Sequence, residues 1–147
     1  MTTVEQANVE TMRRLYEEYL NQRRPELLSS LVSEDVVLHS ATEERGIAAY
    51  AALTDRLRVA FPDMHFTLLD VIACDDRVVV RWAMDATHAG PLNGIPATGK
   101  RVQQRANVIC RMEDGKIAES WAQMDQVGML RQLGIDPLAA VKTAVAR

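Results

Sequence analysis

Apolar and polar positions follow two different rhythms along this chain, and the change falls at Pro62. Before it the period is helical. Val9, Met12, Tyr16 and Tyr19 recur at steps of three and four, with Leu15 and Leu20 widening the stripe, which predicts an amphipathic helix over residues 4–21. Pro25, tolerated in a first helical turn, opens a short second helix through Leu27, Leu28 and Leu31, and residues 36–39 read as strand. A third stripe of Ile47, Tyr50, Leu53, Leu57 and Phe61 begins after Gly46 and is stopped by Pro62.

Beyond Pro62 the runs are β-rich: residues 64–73, 78–88, 101–112 and 117–124. Asp75-Asp76 and Asp114-Gly115 are short polar turns, the second a strong hairpin signal, whereas residues 90–99 form a longer loop rich in Gly and Pro. Consecutive antiparallel strands are therefore expected. Asp125 then starts a last helix over residues 126–133, closed by Gly134. The tail, residues 137–147, is open between helix and frayed end. Helices first and strands afterwards give an α+β class: a cone-shaped, curved antiparallel sheet with the N-terminal helices packed on its concave face, enclosing a pocket.

Length and charge narrow the partners. The 147 residues fit one domain spanning 1–147, and 48% apolar with 25% charged residues is enough to bury a core without metals or crosslinks. A net charge of -3 offers nothing to phosphate backbones or anionic lipid, so neither nucleic acid nor a membrane is expected as partner. Residues 1–6 lack the basic start and apolar stretch of a signal peptide, and no window approaches the roughly 18 apolar residues of a spanning helix. A cytoplasmic location is the expectation. Cys74 and Cys110 sit in separate strands and read as buried free thiols.

Particular residues then suggest a family. The loop Thr87-His88-Ala89-Gly90-Pro91-Leu92-Asn93-Gly94-Ile95-Pro96-Ala97-Thr98-Gly99-Lys100 and the closing segment Asp114-Gly115-Lys116-Ile117, Trp121, Asp125, Gly128 and Leu130-Arg131-Gln132-Leu133-Gly134 together resemble the SnoaL-like polyketide cyclases and related ester cyclases. The likeness runs from the first helix to Gly134. It implies a cone fold, a small apolar carbonyl-containing ligand, no cofactor and a homodimer formed through the sheet. In cyclising members an aspartate on the final strand serves as acid/base for an intramolecular aldol closure, supported by a Gln and a His on the preceding strand. In ungapped register these positions fall on Ala122, Ala106 and Val108, which are apolar and move no proton.

Other groups must then supply any acid/base chemistry. Asp125 has two readings, a base at the pocket mouth or an N-cap for the last helix. His39, on its short strand, could orient a carbonyl or shuttle a proton near neutral pH, or be a satisfied histidine without a chemical role. His88 stands where a strand gives way to the long loop, so it either fixes that loop or meets substrate. Tyr16 and Tyr19 could direct phenols into the cavity or fill the core. The three histidines have no metal-binding spacing, so no metal is expected. Trp121, of opposite strand parity to Ala122, should face another layer or a partner subunit. Two classes of function remain: a cofactor-independent cyclase, or related lyase, isomerase or hydroxylase, and a non-catalytic receptacle for small molecules.

Overall fold

The computed structural model describes residues 1–139, 141 and 145, and the question of a helical or frayed tail falls mostly outside them. Helix α1 spans Thr3–Arg14 and continues as a π-helical stretch, Leu15–Asn21. Its start is fixed by reciprocal bonds: Thr2 Oγ1 accepts the Glu5 N–H at 3.1 Å while the Glu5 carboxylate accepts the Thr2 N–H at 2.9 Å. The expected stripe is buried, with Met12, Leu15, Tyr16, Tyr19 and Leu20 in the core. After a 3-10 turn at Pro25–Leu27 come α2 (Leu28–Leu31), β1 (Val32–His39), β2 (Glu43–Arg45) and α3 (Ile47–Ala60). Strands β3 (His65–Cys74), β4 (Arg77–Thr87), β5 (Arg101–Glu113) and β6 (Lys116–Met124) precede α4 (Gln126–Gln132).

All six strands form one curved, unclosed sheet in the order β2, β1, β6, β5, β4, β3. The four long strands are antiparallel neighbours as expected, but the sheet is mixed: β1 runs parallel to β6. The expectation of an antiparallel sheet throughout missed this because the crossover from β1 to β6 encloses most of the chain and leaves no local trace. β2 was also missed, since Glu43–Arg45 is charged and edge-exposed, without an apolar alternation to mark it. Register shifts in β3 between Leu68 and Asp70, and between β5 and β6 at Arg111/Met112, interrupt the ladders in the way that bends a strand and increases its twist.

The core lies between the concave face and the helices. Val78, Val80, Trp82, Met84 and Ala86 of β4 and Val102, Ala106, Val108, Cys110 and Met112 of β5 meet the α1 stripe there. Asn21 ties helix to sheet by imitating a strand: its amide donates to the Phe66 carbonyl and accepts the Phe66 N–H, both at 2.8 Å. Cys110 is buried, which pushes its thiol up to about 12, but Cys74, expected inside, is exposed at the end of β3. Arg81 pairs with Asp70 at 2.6 Å on the outer face.

Candidate functional site

The stripe of α3 is the first sign of a hollow. Leu53 and Leu57 are only half-buried although they stand on the helix's apolar face, because that face looks across a cavity of about 710 Å³. Leu38 of β1, Phe61 after α3, Phe66 of β3, Trp82 and Met84 of β4, and Met124, Met129 and Leu130 around α4 complete an apolar wall. Pro91, Leu92 and Ile95 cover it from the loop. Such a volume and lining suit a small organic molecule.

Polar groups in the lining are few. Among the described residues Glu44 is its only carboxylate and Arg56 its only cation, 3.8 Å apart. Leu38 pairs with Glu44 across β1 and β2, so the carboxylate shares the cavity face with Leu38. Gln104 of β5 lies deeper, 3% exposed, and neither atom of its amide has a protein partner among the described residues. The Trp82 indole N–H is likewise buried, near the Tyr16 hydroxyl but outside hydrogen-bond geometry. Among the described residues no three His, Cys, Asp or Glu side chains gather as a metal site requires.

The residues expected from sequence are dispersed. Ala106, Val108 and Ala122 do share the inner face, Val108 directly opposite Ala122 and Ala106 opposite Met124, but none of the three is in the cavity lining. Tyr16 backs the wall through contacts with Phe66 and Trp82, and burial pushes its phenol far above the ordinary tyrosine range. Tyr19 is core: its hydroxyl is 2.8 Å from Thr54 Oγ1 and its ring lies under the Arg58 guanidinium. Neither ring reaches the cavity lining.

His39 alternates with Leu38 and therefore stands on the opposite face of the sheet. Its Nε2 is 2.7 Å from Glu119 and its ring stacks on Trp121, 5.2 Å between centroids at 11°. That contact, followed by Arg111, holds the Glu119 carboxyl below the usual glutamate range. Asp125 is exposed and caps α4, accepting the Gly128 N–H at 2.9 Å. A Cβ on residue 128 would collide with that carboxylate, which explains the glycine. His88 is fully buried, packs on Phe61, and through Nδ1 accepts the Thr98 N–H at 3.2 Å. It fixes the loop whose tip covers the cavity and does not itself line it.

Gln104 and Glu44 were absent from the sequence-based candidates. Gln104 did leave a signal, being the one polar residue in the inward row Val102, Gln104, Ala106, Val108, Cys110, Met112. Glu44 left none, because its facing depends on the unforeseen strand β2.

Comparison with known proteins agrees with this architecture. The family model for SnoaL-like polyketide cyclases matches residues 10–133. Aklanonic acid methyl ester cyclase DauD of Streptomyces sp. (strain C5) is 29% identical over 130 residues, covering 86% of this chain and 81% of its own length. IdmH, a proposed polyketide cyclase from Streptomyces antibioticus, superposes with a TM-score of 0.77 at 29% identity, over 87% of this chain and 99% of its own. AclR, a proposed hydroxylase from Streptomyces galilaeus, does so at 0.79 and 25%, over 97% and 94%.

Proposed function

This chain belongs to the SnoaL-like polyketide cyclase family, and from that membership we propose that it takes an apolar, polyketide-like carbonyl compound into its cavity and closes a ring there by acid/base chemistry without a cofactor. The observation that carries this reading is the 710 Å³ apolar hollow with one carboxylate in its lining. Glu44 accepts a proton from a carbon beside one carbonyl, and the enolate carbon attacks a second carbonyl to form the carbon–carbon bond. The proton returns to the resulting alkoxide, so the mass is unchanged. Arg56 places a cation beside the developing oxyanion, while the apolar wall holds the reacting carbons together and excludes water.

The alternative is a receptacle without chemistry, favoured by the apolar identity of Ala106, Val108 and Ala122, which fall where cyclising members carry their acid/base groups. Aklanonic acid methyl ester, the compound in the relative's name, separates the two readings. Conversion to an isomer of equal mass, abolished in Glu44→Gln while binding persists, supports the cyclase. Binding without conversion supports the receptacle, and a product heavier by one oxygen would point to hydroxylation. Asp125→Asn and His39→Ala are expected to leave conversion within about twofold, as substitutions away from the cavity should. Loss of turnover in either would return the chemistry to the residues the sequence first suggested.

We also propose that the outer face of the sheet receives a second copy. Ile72, Val79, Ile109 and Trp121 stand in register across four strands, with Ile72, Ile109 and Trp121 exposed by 60%, 45% and 36%. The Arg81–Asp70 and Arg111–Glu119 pairs beside this row carry both signs of charge, as a self-complementary surface needs. Light scattering of wild type against Ile109→Lys should show a dimer reduced to a monomer; an unchanged mass would discard the assignment.

A further inference from the structure

Gln104 is the polar group that the fold leaves least explained. Strand parity points it into the cavity, its cross-strand partner is Met84, and its amide is buried with neither Oε1 nor Nε2 satisfied among the described residues. A buried amide in that state costs stability, and a hydrophobic residue of the same length would fill the position without that cost. The other amides of the lining, Asn93 and Gln126, are exposed and meet water.

A primary amide presents a donor and an acceptor side by side along one edge. Its complement is a ligand group with an acceptor and a donor at similar spacing. A lone ketone satisfies only Nε2 and leaves Oε1 bare. A carboxylate is acceptor-only and sets negative charge against Oε1, and Arg56, the cation of the described lining, already stands beside Glu44. The β-hydroxy ketone that an aldol closure makes from two carbonyls offers both partners and carries no charge, whereas an enolised β-dicarbonyl closes its O–H on its own carbonyl.

We propose that Gln104 is the specificity-determining residue of the cavity and that it selects ligands bearing such an adjacent carbonyl and hydroxyl over simple ketones and carboxylates. This rests on the cavity being the ligand site, as in the reading above, but does not require that Glu44 catalyse anything.

The test uses the full chain carrying Trp121→Phe, which removes the outer-face indole and leaves Trp82, in the cavity wall, as the fluorescent reporter. The β-hydroxy ketone obtained by reducing the distal carbonyl of benzoylacetone is titrated against butyrophenone, the monoketone of the same skeleton, and against phenylbutyrate, with heats of binding as a second readout. The hydroxy ketone is expected to bind about tenfold tighter than butyrophenone, as two satisfied hydrogen bonds against one imply. Phenylbutyrate should bind no tighter than butyrophenone. Gln104→Met should erase the preference by weakening the hydroxy ketone alone and should raise the melting temperature of the ligand-free protein. Gln104→Glu, acceptor-only at neutral pH, should lose the preference too.

Equal affinity for the two ketones in the parent protein, or a preference that survives Gln104→Met, overturns the assignment to Gln104 and leaves the cavity reading intact. If neither ketone quenches Trp82 or yields heat, the cavity reading falls and the assignment falls with it.

Discussion

Strand β5 has two sides whose exceptions differ in kind. Inward it presents Val102, Gln104, Ala106, Val108, Cys110 and Met112, outward Arg101, Gln103, Arg105, Asn107, Ile109 and Arg111. Most of each row is what a half-buried strand requires, apolar toward the core and polar toward water. Gln104 breaks the inner rule and Ile109 the outer one. The inner exception carries a desolvation cost that a bound ligand would offset, whereas the outer one costs little in an isolated chain and matters only if something covers it. Departures from the folding pattern thus separate a site from a surface, and they do so along a single strand.

Removing mass from each side is the strongest way to sharpen that contrast. Phe61→Ala empties a position 1% exposed at the cavity wall and should cost about 3–5 kcal/mol in urea denaturation. Ile109→Ala should leave the monomer within about 0.5 kcal/mol and act on self-association instead. Similar losses for both would mean that the faces are not energetically distinct. Gly90→Ala should have an intermediate effect of about 1–3 kcal/mol, because a Cβ there would meet the Val59 carbonyl where the loop docks on α3. If it is neutral, the loop is not held by that contact.

The smallest effect belongs to the outer face and depends on pH. Glu119 has its folded pKa depressed by His39 and then Arg111, so its contribution is present above the ordinary glutamate pKa and lost as pH falls through the lower folded value. The stability gap between wild type and Glu119→Gln should therefore narrow on acidification. A gap constant from neutral pH to below the glutamate range would show that the carboxylate's charge contributes nothing.

Much of the architecture was written in local periodicity. The helical stripe of α1, the stop at Pro62, the Asp114-Gly115 turn and the long β5 alternation each arise from neighbouring residues and so can be read without the fold. The site was less legible for the opposite reason. Whether Leu53 meets core or empty space, or Glu44 faces in or out, is decided by elements distant in sequence. His39 misled because the alternation that sends Leu38 inward sends the imidazole outward. Asp125 had been given a cap as one of two readings, and its bond to Gly128 is that cap. Gln104 was readable from parity alone, and the resemblance drew attention to Ala106 and Val108 beside it.

The loop over the cavity is built as a fixed base with a free tip. Ala89 and Gly90 donate to the Ala60 carbonyl at 3.0 and 3.2 Å, His88 holds Thr98, and Gly99 donates back to the His88 carbonyl at 2.8 Å. Between these anchors Leu92 and Ile95 bond to each other across Asn93-Gly94, whose positive φ angles of 47° and 83° make a two-residue turn with open space around Gly94. Residues inserted at that turn disturb none of the anchors. If the cavity holds the proposed ligand, the tip is an adjustable gauge: lengthening or shortening it would reset the largest molecule admitted, while the rest of the chain goes on folding as before.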